Sequence, residues 1–288
     1  MGTRLELRPL ATRTWPNYNR PMPDIAEMAD IPRRLDAYRT HAMHDNDGVI
    51  SNDKIRPGLP GLSQLAHQTI QLPLSDEGID LGPITLGDRI GRPGHYGFLY
   101  AIVGHRHVAL KLIHLARSGP QSIARQVSGY RLIEAFPAEI PAVKIIASHF
   151  GSDQEASYLI VENLYDGRWA NRDVVVAPSA LGERERAATR RLYDNLAERN
   201  FVAVDCHKDN LFFFSGDTGD LMAGILDHDY IFNMKDIATL PQRTVKRLFV
   251  LAGPAGGSAW SALDRALKGP RISAKEFMEV FYQTKIAV

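Results

Sequence analysis

Residues 202–213 read VAVDCHKDNLFF and residues 224–229 read GILDHD. Two carboxylates and a carboxamide stand here on short connections between apolar runs: Asp205, Asn210 five residues later, and Asp227 after the next run. In-line transfer of a phosphoryl group requires a carboxylate that orients the acceptor hydroxyl, and hard oxygen ligands for Mg²⁺. The spacing therefore predicts Asp205 as the orienting carboxylate and Asn210 and Asp227 as metal ligands.

The order of further features strengthens this prediction. Alone, an Asp followed by an Asn five residues later is weak, because roughly one such pair is expected by chance in a chain of this length, and a single Asp is often a turn or cap residue. Upstream, however, lie a glycine-rich turn, residues 91–97 (GRPGHYG), and an apolar run with one lysine, residues 108–113 (VALKLI). Glycines let a backbone approach phosphates, and a lysine on the neighbouring strand can pair with them.

These features, in this order, resemble the protein-kinase-like superfamily over about residues 84 to 235. The resemblance implies that the chain binds ATP and Mg²⁺ and transfers a phosphoryl group. It also implies a role for each matching residue: Asp205 and Lys111 are catalytic, Gly91, Gly94, Gly97 and Lys111 hold the phosphates, and Asn210 and Asp227 hold the metal.

Residues 158–164, YLIVENL, look like the strand that leads into the kinase hinge. The resemblance implies that the backbone around Glu162 and Leu164 holds the adenine ring. In build, the chain is most similar to compact bacterial kinase-like proteins of the PhoP-regulated YrbL type. Small secreted effectors with a kinase fold come next.

The chain also departs from the superfamily pattern. Gly91 lies one residue farther from Gly94 than usual, so the glycine loop carries an insertion at Pro93. In the helix predicted at residues 121–136, Gln126 stands where the superfamily has the glutamate that pairs with the lysine, and Glu134, the only acid there, comes about two turns later. A glutamine can accept a hydrogen bond from Lys111 but supplies no counter-charge.

Two further departures concern the acceptor and regulation. His228 and Asp229 replace the usual Phe and Gly after Asp227, and no Ala-Pro-Glu follows, so we expect no activation segment of the eukaryotic kind. His207 stands two residues after Asp205, where protein kinases commonly have lysine and aminoglycoside phosphotransferases have histidine. The acceptor, a protein or a small molecule, is therefore open at this point.

The predicted fold class is α+β, a kinase-like bilobal fold with a five-stranded N-lobe and a reduced helical C-lobe. Apolar runs predict the five strands, at residues 84–90, 98–103, 108–113, 143–147 and 158–161. Helices are predicted at residues 121–136, at 180–199 with Ser179 as its cap, at 236–251, at 259–267, and after Ser273, where a capping box begins.

Composition divides the chain near residue 80. Nearly half of the 17 prolines lie in the first 80 residues, in polar sequence typical of an extended or partly ordered arm, with helices predicted at 32–44 and 62–72. We therefore expect an arm at 1–80 and a kinase-like domain at 81–288, with an N-lobe at 81–164 and a C-lobe at 165–288. The arm suits a secretion signal, a partner-binding segment or a regulatory flap.

The overall composition is that of a globular protein, with 44% hydrophobic and 23% charged residues. A net charge of +1 gives no electrostatic attraction to nucleic acid or to an anionic membrane. No apolar run is long enough to span a bilayer, and the N-terminus lacks the apolar core of a signal peptide. Its only cysteine, Cys206, fits a packing role. We expect a cytoplasmic protein, or an effector secreted into a host cell.

The leading functional prediction is an ATP- and Mg²⁺-dependent kinase that acts on protein hydroxyls. The 61 residues after Asp227 leave little chain for the insertions that form a deep small-molecule pocket. One alternative is a small-molecule kinase of the aminoglycoside-phosphotransferase type, which His207 and the missing activation segment favour. Another is a non-catalytic pseudokinase that binds a partner through its N-terminal arm, which Gln126 and the longer glycine loop favour.

Overall fold

The computed structural model describes residues 65–76, 78–91, 97–113, 119–149, 157–203, 205–235 and 273–286. These ranges form a mixed α/β fold with three helices and three antiparallel sheets. None of the helices there has the length and apolar character needed to cross a membrane. Gly94 and the helices predicted at 32–44, 236–251 and 259–267 lie outside the described residues.

The first sheet has six strands where the sequence predicted five. In chain order they are β1 Thr69–Gln71, β2 Pro83–Arg89, β3 Gly97–Ile102, β4 Val108–Ile113, β5 Ile145–His149 and β6 Ser157–Glu162. Across the sheet their order is β1-β2-β3-β4-β6-β5, and every neighbouring pair is antiparallel. Strands β2 to β6 begin and end within two residues of the five predicted strands.

The additional strand, β1, lies where the sequence predicted a helix at residues 62–72. Ile70 and Leu72 alternate with polar residues and pack in the apolar layer that contains Leu86. The backbone of β1 pairs with β2, and Thr69 and Thr85 share a hydroxyl hydrogen bond of 2.9 Å. The prediction was wrong because a run this short does not distinguish the helical period from the strand period.

The two faces of β4 pack against different apolar layers. Leu110 and Leu112 lie in the layer that covers the outer face of the first sheet. Ala109 and Ile113 lie in a second layer, which also contains Phe212 and Phe214 from the other half of the chain. Since side chains alternate along a strand, Lys111 lies on the same face as Ala109 and Ile113 and points toward that second half.

Helix α1, Gly119–Ile133, packs against this sheet. Its buried residues include Ile123, Gln126 and Ile133, and they recur at helical spacing along one face. The helix also contacts the segment near residue 231, where Gly129 approaches the backbone closely: a Cβ at Gly129 would lie 2.1 Å from the carbonyl oxygen of His228. Glycine at this position therefore sets how near α1 can come to the second half.

The second half combines helices with short strands, so its described part is less purely helical than predicted. Its elements are β7 Val175–Val176, α2 Glu183–Glu198, β8 Phe201–Ala203, β9 Leu211–Ser215, β10 Leu221–Ile225, β11 Ile231–Asn233 and α3 Ala274–Lys285. Strands β10, β9 and β7 form one sheet, and β11 pairs with β8. Their core includes Leu192, Leu196, Phe213, Phe277 and Phe281.

Of the two helix caps predicted in this half, one is confirmed. The capping box at Ser273 is confirmed: its hydroxyl accepts from the Glu276 N–H, and the Glu276 carboxylate accepts from the Ser273 N–H. The predicted Ser179 cap is wrong, because α2 begins after Gly182, three residues later. Asn200, which follows that helix, has a φ of 60°, the left-handed conformation that Asn tolerates after a helix.

Candidate active site

Lys111 contacts side chains from two other segments of the chain. Its Nζ donates to Gln126 Oε1 in α1 at 2.9 Å and to Asp227 Oδ2, just after β10, at 3.1 Å. About a fifth of the Lys111 and Asp227 side chains is exposed, so the pair is shielded but reachable from solvent. We call Lys111, Gln126 and Asp227 the lysine cluster. Its formation confirms that Gln126 occupies the position predicted for the lysine's partner.

Gln126 is buried, and its neutral amide supplies no charge to Lys111. Glu134, the alternative acid in this region, forms instead an ion pair of 3.2 Å with Arg131. In the part of the chain that the structure describes, the carboxylate paired with Lys111 is therefore that of Asp227.

Asp205 and Asn210 are linked within one short turn. Asn210 Nδ2 donates to the Asp205 carbonyl at 2.8 Å and to Asp205 Oδ2 at 3.1 Å. Lys208–Asn210 form a 3₁₀ turn, which His207 caps by accepting from the Asp209 N–H. We call residues 205–210 the aspartate loop. Because the Asn210 side chain uses its nitrogen, Nδ2, in these contacts, its side-chain oxygen, Oδ1, is the atom suited to a metal.

A buried tyrosine in α2 forms a hydrogen bond to the backbone of the aspartate loop. The Tyr193 hydroxyl in α2 donates to the carbonyl of Cys206. Burial raises the pKa of Cys206 to about 12, with the Asp205 charge adding to the effect, so its thiol stays protonated and packs as an apolar group. The sequence analysis missed Tyr193, although its position next to Leu192 on the buried face of α2 was the available signal.

The β9–β10 hairpin brings the aspartate loop to the lysine cluster. Leu211 pairs with Ile225, and the Leu226 N–H donates to the Asn210 carbonyl at 2.9 Å. Asn210 therefore comes immediately before β9 and Asp227 shortly after β10, at the same open end of the hairpin. The β8–β11 pair, with Ala203 opposite Ile231, closes the other side.

Both oxygens of Asp227 have partners. Oδ2 accepts from Lys111, and Oδ1 accepts from the Asp229 N–H at 3.2 Å. Burial raises the pKa of Asp227, but Lys111 and the Asp229 N–H together favour the charged carboxylate more strongly, so the pKa lies below its ordinary value. Asp227 is thus ionised at neutral pH, as a metal ligand must be.

His228 is buried against α1. Its ring makes an edge-to-face contact with Tyr130 at a centroid distance of 5.2 Å, and its carbonyl lies against Gly129. Burial lowers the pKa of His228 to about 4, so the imidazole is neutral. Its Nε2 has no hydrogen-bond partner among the described residues. The contact with Gly129 was not foreseen, because no local pattern pairs a helix glycine with a residue about 100 positions away.

Two of the three loop glycines can be placed. Gly91 has a φ of 70°, a conformation that favours glycine. Gly97 lies in β3, where a Cβ would be 2.1 Å from the Leu112 carbonyl oxygen, so its lack of a side chain allows the two strands to pack. Their contact with phosphates stays a prediction.

The strand that leads into the predicted hinge is β6, an interior strand of the first sheet. The Glu162 carboxylate forms a two-point ion pair with Arg168, at 2.9 and 3.0 Å, so both of its oxygens have a partner within the protein. Leu164 is buried in the same apolar layer as Ala109 and Val161. Arg168, which the sequence analysis missed, also donates to the Ala142 carbonyl and stacks on Trp169. The adenine-binding role of this backbone stays a prediction.

The oxygen donors suit a hard cation. Asp227 supplies a carboxylate and Asn210 a carboxamide oxygen, and Mg²⁺ commonly takes one or two such ligands together with phosphate oxygens. No group of three His, Cys, Asp or Glu side chains converges as a metal site in the described ranges. A protein-only metal cage is therefore not formed there, whereas a metal shared with a nucleotide fits the donors.

No protein-family model matches this chain, and no curated protein is similar to it in sequence. Among solved structures, it is similar to the BubR1 kinase domain, with 13% identity and a TM-score of 0.42 over 75% of this chain. It is also similar to vaccinia related kinase 3, with 16% identity and a TM-score of 0.36 over 62% of this chain. The chain spans 62% and 53% of the length of those two chains. Neither similarity bears on the chemistry of this chain.

Proposed function

We propose that this chain is a kinase-like phosphotransferase that uses ATP and Mg²⁺ and acts on protein hydroxyls. One observation carries the proposal: Lys111 meets Asp227, 116 residues away, while the same hairpin holds Asn210 and the aspartate loop beside them. A lysine, two carboxylates and a carboxamide from separate segments thus converge at one end of a hairpin. Phosphoryl transfer requires this set.

Each residue has a distinct role in the proposed reaction. Lys111 binds the α and β phosphates, and Asn210 and Asp227 bind the metal through oxygen atoms. Asp205 orients the acceptor hydroxyl and accepts its proton, while the Asn210 amide fixes the Asp205 carboxylate through Oδ2. Mg²⁺, when bound, neutralises charge on the phosphates. The backbone around Glu162 and Leu164 holds the adenine ring.

Exposure near the aspartate loop supports a protein acceptor. The Lys208 and Asp209 side chains are 40% and 58% exposed, so a segment of a large partner can approach this end of the loop. The arm at residues 1–80 is proposed to bind a partner through the part that precedes β1, because β1 belongs to the first sheet. The protein is proposed to act in the cytoplasm or, as a secreted effector, in a host cell. The proposal also includes the resemblance to compact bacterial proteins of the YrbL type and to small secreted effectors with a kinase fold.

Two other functions have specific support. His207 Nε2 lies 3.4 Å from Asp205 Oδ1, so the histidine stands beside the proposed orienting carboxylate, as a small-molecule phosphotransferase would have it. The neutral Gln126 in the lysine cluster favours a pseudokinase, since the lysine lacks an acidic helix partner.

Nucleotide binding and transfer distinguish the three functions. Thermal unfolding is first measured with ATP, with and without Mg²⁺. Transfer of ³²P from ATP is then measured to the protein itself, to a cell lysate, and to small amino alcohols. Label on protein supports the leading function, label only on a small acceptor supports the second, and binding without transfer supports the third. Absence of any nucleotide binding rules out the proposed function.

Asp205→Asn is the loss-of-transfer variant in these assays. Asp217→Asn is its matched control, because it makes the same chemical change on a side chain that is 87% exposed, at the opposite end of the β9–β10 hairpin. Label that persists in Asp205→Asn comes from a contaminating kinase or from another site.

A further inference from the structure

We infer that Gln126 is a positioning residue that lowers the Mg²⁺ dependence of nucleotide binding, because it leaves Lys111 paired with the carboxylate that a metal ion would use. This inference rests on the proposed function and concerns the same site. Its starting point is the pair of contacts at Lys111: a neutral one to Gln126 at 2.9 Å and an ionic one to Asp227 at 3.1 Å.

The ammonium of Lys111 and a metal ion compete for one carboxylate, that of Asp227. Lys111 contacts Asp227 Oδ2, and Oδ1 already accepts from the Asp229 N–H. A cation that binds Oδ2 competes with Lys111 directly, and one that binds Oδ1 still meets the positive charge of Lys111 at the same carboxylate. Lys111 loses an ion pair in that exchange, because Gln126 offers a dipole in place of a charge.

The charge of the cluster acts in the same direction. Lys111 and Asp227 sum to zero, and Gln126 adds nothing. A glutamate at position 126 would make the cluster negative by one charge, at a site that is 1% exposed and therefore weakly screened. Metal-free ATP, a polyanion, is therefore repelled less by the wild-type cluster than by a cluster with glutamate at position 126.

Both effects predict the same change in Gln126→Glu. The new carboxylate attracts Lys111 away from Asp227 and frees the Asp227 carboxylate for Mg²⁺, which strengthens binding of the nucleotide with metal. The added negative charge weakens binding of the nucleotide without metal. The ratio of the two affinities therefore rises.

The test measures the dissociation constant of ATP by calorimetry in 5 mM EDTA and again in excess MgCl₂, and needs no turnover. We expect the ratio of the two constants to be roughly tenfold or more higher in Gln126→Glu than in the wild type, about 1.4 kcal/mol. Gln71→Glu is the matched control: it adds the same charge at an exposed position of β1, three strands from β4 and thus at least about 14 Å away, and should leave the ratio unchanged.

Asp227→Asn gives a second, independent arm in case Gln126→Glu does not fold. It releases Lys111 from its ion pair, so ATP affinity in EDTA should rise and Mg²⁺ should no longer improve it. Weaker binding of Asp227→Asn in EDTA, or an unchanged ratio in a folded Gln126→Glu, overturns the inference while leaving the proposed function intact. If wild type binds no ATP in either buffer, both fail.

Discussion

The lysine cluster and the aspartate loop place their carboxylates in opposite ways. Asp205 is held by Asn210, five residues along the chain, through two hydrogen bonds inside a single turn. Asp227 is held by Lys111, 116 residues away, on a different sheet. The loop is therefore a local structure that any correct β8–β9 connection reproduces, whereas the cluster exists only when α1, the first sheet and the hairpin are packed together.

The largest effect is expected at the long-range cluster. Asp227→Asn should abolish Mg²⁺-dependent turnover while the fold survives, because the carboxylate is a proposed metal ligand rather than a core residue. Lys111→Ala should act in the same direction but less completely, since its phosphate contact is one of several. Turnover in magnesium and far-ultraviolet circular dichroism measure the two properties. A folded Asp227→Asn protein with normal turnover removes Asp227 from the site.

The aspartate loop should separate binding from chemistry. Asp205→Asn is expected to keep ATP affinity near the wild-type value and to lower phosphoryl transfer by roughly 10²- to 10⁴-fold, the range for loss of a general base. Calorimetry and single-turnover ³²P transfer give the two numbers. If ATP binding is lost as well, Asp205 is a structural residue or a metal ligand, and the loop depends on the cluster more than its local hydrogen bonds indicate.

Gly129 offers a way to disturb the cluster from outside it. Alanine in a helix is usually better than glycine by about 1 kcal/mol, but here its Cβ would lie 2.1 Å from the His228 carbonyl oxygen, and such overpacking typically costs about 1–3 kcal/mol. Gly129→Ala should therefore lower the free energy of unfolding and move α1, with Gln126, away from Lys111. Urea unfolding and ATP affinity measure the two effects. Ser128→Ala, on the same helix, is the control.

If Gly129→Ala is as stable as Ser128→Ala and binds ATP equally well, then α1 has room to move and the cluster does not depend on this contact. The Asp205–Asn210 turn should be unaffected in either variant, because its hydrogen bonds are made within the loop.

The last effect is confined to stability at acid pH. His228 has an ordinary pKa of 6.5 and a folded pKa of about 4, so the unfolded chain takes up a proton that the folded protein does not. The stability from this residue is present above pH 6.5 and is lost toward pH 4, by about 1.4 kcal/mol per pH unit. His228→Phe should remove this part of the slope in urea unfolding between pH 7 and pH 4.5 without nucleotide. His107→Gln, at an exposed histidine, should retain it.

An identical pH slope in wild type and His228→Phe would mean that the folded protein admits the proton, and hence that the packing of His228 against Tyr130 and α1 is looser than described. That result would weaken the physical link between Asp227 and the helix, and leave the aspartate loop untouched.

Much of this arrangement follows from local sequence. Apolar runs predicted β2 to β6, the resemblance to the kinase pattern predicted Gln126 as the lysine's partner, and the Asp-to-Asn interval predicted the aspartate loop. Short or ambiguous signals failed: β1 was predicted as helix, and α2 begins at Glu183, after Gly182, rather than after Ser179. In both cases the pattern covered only a few residues. Pairing with β2 decided that β1 is a strand, and the extended backbone of Gly182 decided where α2 begins.

By itself the sequence determined which residues can carry the chemistry and where the strands and helices that hold them lie, because side-chain periodicity and turn formation act over a few residues. Only the tertiary structure decided that Lys111 pairs with Asp227, that Arg168 occupies the Glu162 carboxylate, and that Gly129 lies against His228. Those contacts join residues far apart in the chain or compete with other local partners. Their choice depends on how the two halves pack, which no short stretch of sequence encodes.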